Sequence, residues 1–96
     1  MTAEILCLND KDRYLENIRT AAQALRSGRI VAFPTETVYG LGVCADNDTV
    51  IDNLYSAKQR SRDKKLSIMI AEPDDARKHV KQITPIANKL ISSFWP

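Results

Sequence analysis

Apolar residues in this chain fall into short blocks, and the spacing within each block separates helices from strands. Glu4 to Leu8 (Glu-Ile-Leu-Cys-Leu) predicts a short buried strand. Tyr14, Leu15, Ile18, Ala21, Ala22 and Leu25 then recur at helical spacing and predict an amphipathic helix. Asp10 or Asp12 is placed to cap its start, and Ser27-Gly28 supplies a stop. Ile30-Val31-Ala32-Phe33 is a largely β-forming run closed by Pro34, which predicts a buried strand. A loop with Gly40 and Gly42 follows. Asp46-Asn47-Asp48 offers caps for a helix from residue 49 to about 58, with Val50, Ile51, Leu54 and Tyr55 on one face. Leu66 to Ile70 predicts another buried strand. Pro73-Asp74-Asp75 reads as a helix start, and Thr84-Pro85 as a second, with Ile86, Leu90, Ile91 and Phe94 as its apolar stripe. Strands alternating with helices are the order of an α/β fold.

Composition narrows the class. With 96 residues, 44% hydrophobic and 27% charged, the chain is too apolar for disorder and too poor in glycine and cysteine for collagen or a disulfide scaffold. Its length allows one domain at most, burying roughly 60–70% of the unfolded surface. The longest apolar runs (Ile30 to Phe33, Ile68 to Ala71) are far short of the roughly 20 residues that span a membrane. Acids at Glu4, Asp10 and Asp12 and the lack of a signal-peptide core predict a cytoplasmic protein. Cys7 and Cys44 then read as two reduced, buried thiols. His79 is the only histidine, so a zinc site of sulfur and nitrogen ligands has too few candidates. Its place in Arg77-Lys78-His79 reads as a solvated helix surface.

Two stretches could carry chemistry. Pro34-Thr35-Glu36-Thr37-Val38-Tyr39-Gly40-Leu41-Gly42 follows a predicted strand, and open α/β sheets place ligands at the carboxyl ends of strands. It has neither the dinucleotide nor the P-loop glycine spacing. A purely structural reading is a strand-to-helix connection whose threonines satisfy backbone groups. The second stretch, Lys58-Gln59-Arg60-Ser61-Arg62-Asp63-Lys64-Lys65, concentrates positive charge in a chain of net charge +2. Such a cluster suits nucleotide phosphates, pyrophosphate or RNA, or else a solvated connection. On a continuous helix Lys58 and Arg60 stand about 200° apart and cannot share a ligand. A shared phosphate site requires the helix to stop near Lys58, because in an extended chain residues two apart face one side.

The run Gly28 to Gly42, followed by Lys58-Gln59-Arg60 and Lys64-Lys65-Leu66, resembles the YrdC-like family over about residues 14 to 96. The resemblance implies a YrdC-like twisted mixed sheet flanked by helices, of which residues 1–96 are the amino-terminal part of a single domain. It further implies synthesis of threonylcarbamoyl-AMP and pyrophosphate from L-threonine, bicarbonate and ATP, with Mg2+ accompanying ATP. The product serves threonylcarbamoyl-adenosine modification of tRNA by proteins acting downstream. By similarity Thr35 contacts the threonine substrate, and Lys58 and Arg60 bind nucleotide phosphates; no catalytic residue is assigned. Fixed cations beside the α-phosphate would stabilise charge that builds there during adenylyl transfer.

Ser61 and Lys65 stand where the family often has proline, and Met69 where some members have histidine. Phe94-Trp95-Pro96 resembles a segment that the family continues with Gly-Pro-Leu-Thr and a later Ser-x-Asn nucleotide motif. The alternative is a non-catalytic nucleotide-binding module, or one binding RNA weakly. The related carbamoyl-transfer domain of hydrogenase-maturation proteins ranks last, since it expects acylphosphatase and zinc-finger segments ahead of it.

Overall fold

The computed structural model describes residues 3–95. These fall into two compact units, 1–65 and 66–96, each described by itself.

The first unit contains helix α1 (Tyr14–Arg26), strands β1 (Val31–Phe33) and β2 (Gly40–Gly42), and helix α2 (Asp48–Lys58). The strands pair antiparallel, with Val31 opposite Gly42 and Phe33 opposite Gly40. The expected strand-to-helix connection is therefore a hairpin, and residues 34–39 form its loop. Phe33 explains the two glycines of β2. A Cβ on Gly40 would meet the Phe33 ring at 3.0 Å and one on Gly42 at 2.9 Å, so only glycine lets the ring lie across the partner strand.

Both helices end in one backbone motif. At α1 the Gly28 amide donates to Leu25 O (3.1 Å) and the Arg29 amide to Ala24 O (2.9 Å). At α2 the Gln59 amide donates to Ser56 O (3.2 Å) and the Arg60 amide to Tyr55 O (3.0 Å). This is the Schellman pairing, which needs a left-handed residue. Gly28 takes it at φ 85° and Gln59 at φ 50°. Asn47 starts α2, its side chain accepting from the amides of Thr49 (3.0 Å) and Val50 (3.3 Å).

Several expectations are corrected. The cap of α1 is Arg13, which makes no side-chain cap bond; Asp10 instead accepts from the Asp12 amide in the preceding turn, at 3.1 Å. Glu4 to Leu8 forms no strand, since no neighbouring strand offers it a ladder; it is tied to α1 where Asn17 Nδ2 donates to Cys7 O at 2.8 Å. Cys7 is accordingly exposed rather than buried, while Cys44 is half-buried and both are free. The stripe of α1 is largely open, with Leu15 64% exposed. Among the described residues only Val50 and Leu54 are buried apolar side chains, so the core lies on α2.

The second unit holds a 3-10 helix at Pro73–Lys78 and helix α3 at Pro85–Phe94. Thr84 caps α3 by accepting from the Ala87 amide at 3.1 Å. The helix start at Pro73 is real but gives only 3-10 structure, held where Asp75 accepts from the Glu72 amide (3.2 Å) and pairs with Lys78 (3.1 Å). Leu66 to Ile70 is unpaired, because no partner strand exists among the described residues. Of the three expected strands, only Ile30 to Phe33 pairs among the described residues, as β1, and its partner β2 lies in the expected loop. None of residues 66–95 is buried.

Candidate functional site

The hairpin loop is organised by Thr35. Its Oγ1 accepts from the amides of Thr37 (3.3 Å) and Val38 (3.2 Å) and donates to Val38 O. One hydroxyl thereby closes a turn over Glu36 and Thr37. Thr35, Glu36, Thr37, Val38 and Tyr39 are all exposed, so the turn is held from within and presented to solvent. The hydroxyl proposed for substrate contact also carries the satisfying role that the structural reading assigns to it.

The basic stretch begins as the phase argument requires. Lys58 is the last residue of α2, Gln59 turns left-handed, and Arg60 leaves the helical path. Lys58 is exposed and Arg60 half-buried. Arg60 Nη2 donates to Lys65 O at 3.1 Å, while its Nε is buried and makes no hydrogen bond. A buried donor without a partner costs about 1–3 kcal/mol. Among the described residues no hydrogen bond joins Thr35 to Lys58 or Arg60.

Further contacts fold this stretch back on α2. Tyr55 Oη donates to Lys64 O at 2.8 Å. The Arg62 guanidinium lies 4.8 Å from the Tyr55 ring centre and pairs with Asp52. Ser61 Oγ donates to Asp63, holding that carboxyl below its ordinary range. The sequence showed Tyr55 only as an apolar helix position and gave Asp52 no role. Their partners lie nine and ten residues on, beyond any helical period.

Two shallow depressions lie at Arg77, Val80, Lys81, Gln82 and Ile83, and at Ile70 to Pro73 with Trp95; neither is lined by Thr35, Lys58 or Arg60. No group of three or more His, Cys, Asp or Glu side chains that could hold a metal occurs among the described residues. Nor is any helix among them long and apolar enough to cross a membrane.

Comparison with known proteins gives this geometry a family. Residues 23–96 match the Sua5/YciO/YrdC family model, described as telomere recombination. A threonylcarbamoyl-AMP synthase of Pyrococcus abyssi is 40% identical over 95% of this chain, which spans 27% of that relative. One from Bacillus subtilis is 40% identical over 82% of the chain and 23% of the relative. One from Vibrio vulnificus is 34% identical over 85% and 45%. A solved structure of a doubly substituted Sua5 from P. abyssi superposes with a TM-score of 0.80 at 42% identity, covering 84% of this chain and 25% of that one. The chain therefore spans about a quarter to under a half of the curated relatives it matches. Its likeness to the Sua5 structure makes the hairpin and helices part of an α/β YrdC fold. The chain belongs to the Sua5/YciO/YrdC family.

Proposed function

We propose that residues 1–96 are the amino-terminal part of a threonylcarbamoyl-AMP synthase, a cytoplasmic transferase acting on L-threonine, bicarbonate and ATP. The carrying observation is the left-handed stop at Gln59, which ends α2 between Lys58 and Arg60. Lys58 and Arg60 bind nucleotide phosphates in this reading, and Thr35, which closes the solvent-facing turn, contacts threonine. Binding orients the reactants, and the fixed cations stabilise charge building on the α-phosphate. The described residues hold no cluster of three or more His, Cys, Asp or Glu for Mg2+, and magnesium would enter with ATP. The product passes to downstream proteins that modify tRNA.

The test is pyrophosphate release from ATP by the longest polypeptide that carries this sequence. Release should require both L-threonine and bicarbonate. Lys58→Ala or Arg60→Ala removes a charge-assisted contact of about 1.5–3 kcal/mol, or roughly 10- to 150-fold in ATP affinity, while Thr35→Ala acts mainly on threonine. Release that ignores threonine, or variants that match the wild type, would overturn the reading. The 96 residues alone should bind nucleotide weakly and show no turnover. The small core favours a second reading for the isolated chain, a non-catalytic module holding nucleotide or RNA through the same basic stretch.

A further inference from the structure

The five cations between Lys58 and Lys65 are not equivalent. Arg62 is the one whose charge the protein itself engages, by the Asp52 carboxylate on one side and the Tyr55 ring on the other. Asp52 and Tyr55 stand three residues apart on α2, on neighbouring positions of one helix face. Tyr55 also fixes both ends of the turn. Its carbonyl accepts from the Arg60 amide at 3.0 Å, and its hydroxyl donates to Lys64 O at 2.8 Å. The next carbonyl, Lys65 O, accepts from Arg60 Nη2 at 3.1 Å. Tyr55 therefore holds the backbone at Arg60 and at Lys64, and the Arg60 side chain closes the ring of contacts.

We propose that Tyr55, assisted by Asp52, is the positioning residue of the basic turn. It holds residues 60–65 against α2 and sets the direction of the Arg60 guanidinium. Arg62 serves as the strap of this clasp and not as a phosphate ligand. Each contact alone is weak: the Arg62–Asp52 pair is more than half exposed, and exposed pairs contribute little. Their effect comes from meeting on one turn where no proline stiffens the chain, since Ser61 and Lys65 flank it. The consequence for ligand binding rests on the nucleotide reading above; the clasp does not.

The test compares wild type with Tyr55→Phe, which keeps the ring and loses the hydroxyl, and with Asp52→Asn, an exposed change on α2. Thermal unfolding by circular dichroism, 15N relaxation of residues 60–65, and titration with ATP are measured on the longest polypeptide that carries this sequence. Tyr55→Phe should lower the order of residues 62–65 selectively and weaken ATP binding about twofold to tenfold, with little change in unfolding midpoint. Asp52→Asn should loosen Arg62 and weaken ATP less. Unchanged relaxation at 60–65 in both variants would overturn the clasp. Loosening with ATP affinity equal to that of a binding wild type would overturn the positioning of Arg60. Loosening in a chain whose wild type binds no ATP supports the clasp and removes the nucleotide reading instead.

Discussion

Replacing Gly42 with alanine tests the packing that shapes the hairpin. The new Cβ would lie 2.9 Å from Cε1 of Phe33, whereas carbon atoms rest at about 3.5–4.0 Å. Either the strands separate or the ring swings outward. Overpacking of this kind costs about 1–3 kcal/mol, and the half-buried ring can yield by rotating, which places the expected cost near the lower end. For a unit of this size, about 1 kcal/mol lowers the unfolding midpoint by about 4–8 °C. Circular dichroism melts of wild type, Gly42→Ala, Phe33→Leu and the double variant form a cycle. In the Phe33→Leu background the obstructing ring atoms are gone, so Gly42→Ala should cost less than about 0.5 kcal/mol there, a coupling typical of residues in contact. An equal cost in both backgrounds, or a Gly42→Ala midpoint matching wild type, would refute the argument that Phe33 dictates glycine.

Other expectations follow from single contacts. Asn47→Ala removes the cap of α2 and should cost about 1 kcal/mol, read as a lower unfolding midpoint with less helix signal. Gln59→Gly relieves the left-handed residue at the end of α2 and should stabilise by up to about 1 kcal/mol, making that end equivalent to Gly28; a destabilised variant would contradict it. At Cys44 the neighbouring Asp46 carboxylate holds the thiol pKa above the ordinary range, and the thiol in turn lowers that of Asp46. The thiol contribution to stability is present below about pH 8.5 and fades as pH rises through the folded value; that of Asp46 is present above about pH 3.9 and is lost on acidification. Iodoacetamide at pH 8 should therefore modify exposed Cys7 before Cys44, and Asp46→Asn should speed Cys44. Mass spectrometry showing Cys44 modified first would count against this influence of Asp46.

Local signals carried best into the fold. The cap at Asn47, the stop at Ser27-Gly28 and the Thr84-Pro85 start depend on neighbours within four residues, and all three are visible in sequence. Glu4 to Leu8 and Leu66 to Ile70 have strand composition without a ladder, because a strand needs a partner that composition cannot supply. The second hairpin strand was hidden by its glycines, which read as loop until the Phe33 ring explains them. At the candidate site, phase made a helix stop near Lys58 the condition for a shared phosphate site, and α2 does end there. The clasp by Tyr55 and Asp52 was not legible, since hydrogen bonds nine and ten residues apart and stacking seven apart cross the end of the helix and leave no periodic trace.

Helix α3 has consequences for the lifetime of the polypeptide. It is capped at Thr84, yet Ile86, Leu90 and Phe94 are 75%, 54% and 77% exposed, and none of residues 66–95 is buried. A helix of 10 residues is shorter than the roughly 12–15 that hold in water by propensity alone, so its order must come from whatever lies on its apolar stripe. Until that surface is covered, the segment opens at almost no cost and offers chaperones and proteases an unfolded-like target. Substitutions on this stripe should therefore change protease resistance through a helix that bears none of the residues proposed for chemistry.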